Sequence, residues 1–130
     1  MTAPASVVTG VDFVTLPTGD FDAAEAFYGT VLGLPCSARF GRVAGGEFET
    51  GNLTIQLFDF SAMGRENHPN QNPVALHVDD VAAARAELES RGVAFLGDTI
   101  DSGVCHMAIF NDRDGNTLML HHRYAPRDEG

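Results

Sequence analysis

Residues 103–124 read GVCHMAIF (103–110), NDRDGN (111–116) and TLMLHHRY (117–124), two apolar runs joined by a polar turn. Asn111, Asp112, Arg113, Asp114, Gly115 and Asn116 carry turn chemistry, and Gly115 can take the positive φ that a side chain resists. Side chains along a strand alternate between two faces. That alternation puts Cys105, Met107 and Ile109 on one face of the first run, with His106 and Ala108 on the other. In the second run Leu118 and Leu120 share a face, and Thr117, Met119 and His121 share its opposite. The spacing predicts a β-hairpin with one oily face and one face that carries histidines.

Working outward, the hairpin closes the second of two similar halves. Residues 11–16 (VDFVTL) read as a strand, and Asp20 or Asp22 can cap the helix that follows to about residue 32. Ala24, Phe27, Tyr28 and Val31 form its apolar stripe, and Gly33 is the expected stop. In the second half Val74, Leu76 and Val78 alternate with Ala75 and His77 on a strand. Asp80 then caps a helix whose Val81, Ala84 and Leu88 stripe ends at Gly92. Strand-like segments follow each helix, at 37–43, 47–50 and 53–60, and again at 94–96, 104–110 and 117–122. The reading is α+β: a loose N-terminus (1–10), a βαβββ module (11–60), a polar linker (61–72), a second βαβββ module (73–124) and a tail (125–130). Each helix covers the outer face of a small mixed sheet, and the sheets together form a cup.

Composition narrows the classes of function. A chain of 130 residues with 44% hydrophobic content can bury roughly two thirds of its unfolded surface without staples. The net charge of -10 disfavours nucleic acid and anionic membrane, both of which need a basic footprint. No apolar stretch approaches membrane-spanning length. Two cysteines and no leader-like start point to a reducing, cytoplasmic setting. Cys36 and Cys105 have no metal-ligand spacing, and Cys105 reads as a small buried residue. Gly45-Gly46 reads as a hairpin turn, Glu47 and Glu49 as a solvated strand face, and His68 as a solvated loop residue.

The segments AEAFYGTVLGL, VALHVDDVAAARAELESRGV and NDRDGNTLML, set in two such modules, resemble the vicinal oxygen chelate superfamily of glyoxalases, bleomycin-resistance proteins and extradiol dioxygenases. In metal-dependent relatives each module supplies a ligand from its first strand and one from its last. The resemblance places Phe13, Pro73 and Met119 at three of those positions, and Gln56 or Ile55 at the fourth, with alternation favouring Gln56. At most one usual ligand survives, and the resemblance therefore implies a chain without the usual divalent metal site. It also implies a homodimer.

Carrying the alternation through gives the expected contents of the cup. Phe13, Thr15, Thr54, Gln56, Phe58 and Met119 line it as substrate-binding groups, with His77, His106 and His121 among them. Three readings of these histidines stand side by side: isolated imidazoles bonded to neighbours, general acid–base groups in a metal-free site, or a displaced three-imidazole site for a divalent metal. The expected function is binding of a small, partly aromatic organic molecule. The alternatives are a lyase, isomerase or dioxygenase using the histidines, and a resistance protein that sequesters a drug.

Overall fold

The computed structural model describes residues 5–127. Residues 1–4 of the expected N-terminus and 128–130 of the expected tail lie outside the described residues, and residues 5–10 are exposed and join no helix or strand.

Two βαβββ modules follow one another. The first holds β1 (Phe13–Pro17), α1 (Phe21–Glu25) continued by a π-helical turn (Ala26–Val31), β2 (Cys36–Arg39), β3 (Gly45–Glu49) and β4 (Thr54–Phe58). The second holds β5 (Val74–His77), α2 (Val81–Ser90), β6 (Phe95–Asp101), β7 (Cys105–Asn111) and β8 (Thr117–Arg123). Strand orders are β1-β4-β3-β2 and β5-β8-β7-β6. In each sheet the first strand pairs parallel with the last and the other pairings are antiparallel. Asp20, rather than Asp22, caps α1 by accepting from the Ala23 amide at 3.1 Å, and Asp80 caps α2 through Ala83 at 3.0 Å.

One expected turn is a strand. Gly45 and Gly46 open β3, and the chain reverses before them. Both sit where backbone comes close: a Cβ on Gly46 would lie 2.6 Å from the Ala38 carbonyl, and one on Gly45 would lie 2.8 Å from the Phe40 ring. These glycines therefore serve close packing rather than a reversal.

A second correction concerns the hairpin. The turn closes with the Asp112 amide donating to the Asn116 carbonyl at 2.8 Å, and Asn111 is already paired with Thr117. Phe110 therefore faces Leu118, Ala108 faces Leu120, and His106 faces His122. Taking Asn111 as part of the turn shifts the register by one residue, and a one-residue shift exchanges the faces of a strand. Ala108 and Phe110 are fully buried with Leu118 and Leu120. The face of Met107 and Ile109 is the one away from the helix, and His106 lies on the helix side.

Both modules turn their helix-covered faces into one core. It joins Leu16, Tyr28, Phe48, Ile55 and Leu57 of the first module to Val81, Leu88, Ala108, Phe110, Leu118 and Leu120 of the second. The Phe27 and Phe110 rings are 6.4 Å apart across the boundary, and Arg91 donates to the Val31 carbonyl at 2.8 Å. Each sheet keeps a helix-free face on the side away from this core.

A buried polar clamp fixes this arrangement. The Asp112 carboxylate accepts from the Tyr28 hydroxyl (2.7 Å), the Asn116 side-chain amide (2.8 Å) and the backbone amides of Asp114 and Asn116 (2.9 Å each). Asn116 also donates to the Pro17 carbonyl at 2.9 Å and accepts from the Asn70 amide at 2.8 Å. The turn of the second module thus binds the first strand and helix of the first module and the linker between them.

Hydrogen bonds to a buried charged group contribute about 1.5–3 kcal/mol each, and removing the charged partner leaves several donors without acceptors. Tyr28→Phe should cost about 1–3 kcal/mol and Asp112→Ala about 3–5 kcal/mol in urea unfolding. A cost below about 0.5 kcal/mol for Asp112→Ala would contradict the clamp.

Burial first, and then the adjacent Asp112 charge, holds the Tyr28 hydroxyl proton far above the ordinary value of 10.0. The unfolded chain releases this proton near that value while the folded chain keeps it. The associated stability is complete below about pH 10 and declines above it, by about 1.4 kcal/mol per pH unit. Unfolding free energies measured across that range should show the decline in the parent and a smaller one in Tyr28→Phe.

Candidate functional site

The helix-free face of the first module is built in three rows by the strand register. Phe13, Thr54 and Glu49 form the first across β1, β4 and β3; Thr15, Gln56 and Glu47 the second; Pro17, Phe58 and Gly45 the third. The expected residues Phe13, Thr15, Thr54, Gln56 and Phe58 do share one face. Phe13 is 46% exposed, while Thr15, Gln56 and Phe58 are half-buried. Within the rows the Thr15 hydroxyl donates to Gln56 Oε1 at 3.0 Å and the Thr54 hydroxyl to Glu49 Oε1 at 2.7 Å. The Phe58 ring meets the Phe60 ring edge-on at 4.9 Å.

Glu47 and Glu49, expected on a solvated strand face, are partly exposed and complete these rows. The F-E-T and T-I-Q-L alternations contained that information, because an antiparallel partner of Gln56 must share its face. The Ser37 hydroxyl, and then that of Thr54, holds the Glu49 carboxyl below its ordinary range.

The second module presents a different surface. Its helix-free rows are Ala75, Met119, Ile109 and Leu96, then His77, His121, Met107 and Ile100. Leu96 and Ile100 are 52% and 44% exposed. The expected Met119 and His121 are on this face. His77 pairs in register with His121, although its ring lies 5.8 Å from that of His122.

His106 is not with them. It sits on the helix side, with its ring 4.7 Å from Tyr124 and Nε2 3.4 Å from Asp101 Oδ2. Tyr124 donates to Asp101 Oδ1 at 2.7 Å. The Gly103 amide, and then the Tyr124 hydroxyl, keeps the Asp101 carboxyl below its usual range. The one-residue register shift that moved Ala108 into the core moved His106 with it. Among the described residues no group of three or more His, Cys, Asp or Glu is placed to hold a metal ion.

Two recesses accompany these faces. One, of about 600 Å³, lies between the modules and is lined mainly by aliphatic side chains such as Leu34, Leu53, Val74, Leu76 and Leu88. The other, of about 610 Å³, lies where Thr15 and Pro17 of β1 meet the linker.

A sequence profile of the Glyoxalase/Bleomycin resistance protein/Dioxygenase superfamily matches residues 10–120. The chain belongs to this superfamily. Solved structures agree in fold. An antibiotic binding protein, TnmS3 from Streptomyces sp. CB03234, superposes with a TM-score of 0.76 at 24% identity, covering 92% of this chain and 99% of its own. A lactoylglutathione lyase from Agrobacterium tumefaciens gives 0.75 at 21% identity, covering 88% and 93%. A superfamily member from Sphaerobacter thermophilus DSM 20745 gives 0.76 at 21% identity, covering 89% and 98%. No curated protein matches. At these identities the likeness is one of fold, and the scaffold hosts unrelated activities.

The side chains at the superfamily's usual ligand positions do not fit a divalent cation. Phe13 and Pro73 have no donor atom, Met119 offers only a soft thioether, and Gln56 Oε1 already accepts from Thr15.

The hydrogen-bonded Glu49 gives a direct check on the rows. Ser37→Ala combined with Thr54→Val should return the Glu49 titration upward to the ordinary carboxylate range in carboxyl-carbon NMR. An unmoved titration would contradict this geometry.

Proposed function

We propose that this protein binds a small, partly aromatic organic molecule against the helix-free face of its sheets, and that a second copy of the chain completes the pocket. The observation that carries this reading is the composition and placement of the two faces. One offers Phe13 and Phe58 beside the Gln56 amide and the Glu47 and Glu49 carboxylates; the other is Met-, Ile- and Leu-rich. An apolar wall with a few fixed polar groups is what small-molecule sites use. In this reading one wall comes from each of two copies, which makes the protein a homodimer.

Within this reading we favour sequestration without the superfamily's usual metal. The fold shared with an antibiotic binding protein and the acidic rows, which suit a cationic drug, support it. A catalytic reading rests on one feature, the register pair His77 and His121 on the second face. An imidazole there could move a proton in a lyase- or isomerase-like step, with His121 next to Met119 and Met107. His106 lies on the opposite face of the sheet from them, so a displaced metal site would retain two of its three imidazoles.

Thermal-shift screening of polycyclic aromatic compounds, followed by calorimetry, tests the reading. Phe13→Ala and Phe58→Ala should each weaken binding about tenfold, which is about 1.4 kcal/mol. His121→Ala should leave the ligand bound and chemically intact. Ligand turnover that is abolished by His121→Ala would replace sequestration with catalysis. Light scattering should give twice the chain mass of 13.9 kDa, and a monomer at micromolar concentration would contradict the two-copy pocket.

A further inference from the structure

The segment that joins the modules is fastened at both ends. Asp59 Oδ1 accepts from the Ser61 amide at 3.0 Å and from Asn67 Nδ2 at 2.9 Å, and Asn67 Oδ1 accepts from the Phe60 amide at 2.8 Å. The Arg65 amide returns to the Phe60 carbonyl at 3.1 Å. At the far end Asn70 donates to Asn116 at 2.8 Å and accepts from the Thr117 amide at 2.7 Å. Six internal and terminal bonds of this kind make a shaped loop rather than a tether, and shaped surface loops beside a rigid scaffold commonly carry function.

Between its two anchors this loop bends over the end of β1. Arg65, Glu66, His68, Pro69 and Asn70 wall the recess of about 610 Å³ whose floor is Thr15, Pro17 and Phe60. Phe60 is also the edge-on partner of Phe58, so the recess continues the aromatic row of the first module. Ion pairs among the described residues engage Arg39, Arg85 and Arg91 and give Arg65 no carboxylate partner, whereas Glu66 is paired with His68 at 3.4 Å. Arg42, Arg113 and Arg123 also have no carboxylate partner among the described residues, and what sets Arg65 apart is its place in the wall of this recess. Glu47 and Glu49 belong to β3, two strand spacings or about 10 Å from β1, which leaves the Arg65 end of the face free of their repulsion.

We infer that Arg65 forms an anion subsite of the proposed pocket, selecting ligands in which an apolar ring system bears a carboxylate, sulfonate or similar oxyanion. The guanidinium presents a planar fork that matches such a group, and the Phe58–Phe60 pair meets the ring system beside it. This inference rests on the binding reading above and gives the ligand an oxyanion at its Arg65 end, apart from any cationic group that Glu47 and Glu49 hold at the β3 side of the face.

Anilinonaphthalene sulfonate and phenylnaphthylamine share one ring skeleton and differ by the sulfonate, and both brighten on leaving water. The parent should bind the sulfonate dye about tenfold more tightly than the neutral one, a ratio equal to about 1.4 kcal/mol. Arg65→Gln should bring the ratio to about one without changing the affinity for the neutral dye or the thermal midpoint. Arg113→Gln, at an exposed position in the hairpin turn, should leave the ratio intact. If Arg65→Gln preserves the ratio, or weakens both dyes equally, the anion subsite is wrong while the pocket stands, provided that Phe58→Ala still weakens both. If neither dye binds the parent, the subsite and the pocket both fail.

Discussion

The buried carboxylate of Asp112 is the constraint on which the rest of this molecule depends. Its four donors come from the turn around it and from Tyr28, which lies 84 residues earlier in the chain. A charge inside an apolar core is tolerated only when its lone pairs are filled. Here they are filled only when α1 of the first module lies against the hairpin of the second. Asn116 extends the same logic to the end of β1 and to the linker, so a single turn sets the position of three separate segments. Docking of the modules is therefore directional, where hydrophobic packing alone would be permissive.

That direction decides where binding chemistry is available. The clamp holds the helices between the two sheets, and the remaining face of each sheet is left to the outside. One such face is polar and aromatic, the other oily and soft. The proposed pocket is the union of the two, one from each of two copies. Phe13, Pro73 and Met119 stand on the strands that would form it, and Thr15 and Gln56 bond to each other there. What remains is suited to holding a molecule by shape, stacking and a few hydrogen bonds.

Much of this architecture was legible in the residues. The paired Asp caps, the strands around Leu16, Leu57 and Leu76, and the polar turn at Asp112–Asn116 each follow from local rules, and local rules are what a single sequence states clearly. Phe13, Thr15, Thr54, Gln56 and Phe58 fell on one face because their strands are short and their alternation is unbroken. His106 was misplaced because its face depends on where the hairpin turn begins, and a buried hydrogen bond at Asp112 decides that, not composition. Gly45 and Gly46 looked like a turn because nothing in the sequence reveals that Phe40 and the Ala38 carbonyl occupy the space of their missing side chains. Glu47 and Glu49 read as a solvated face, and their row partners Gln56 and Thr54 follow only from the ladder register. The polar composition of the linker hid the bonds through Asn67 and Asn70 that give it a fixed shape.

Complementation between two crippled chains tests the central claim most directly, because it asks whether the faces of one chain or of two chains form the pocket. One variant carries Phe13→Ala and Phe58→Ala, the other Met107→Asp and Met119→Asp, and each alone should fail to bind an aromatic dye. If the clamp sets the sheets back to back and two copies share each pocket, mixing and refolding the variants together should restore binding at one pocket per mixed dimer. A mixture as inactive as its components, with mixed dimers shown to be present, would place both faces of each pocket in a single chain and contradict the account.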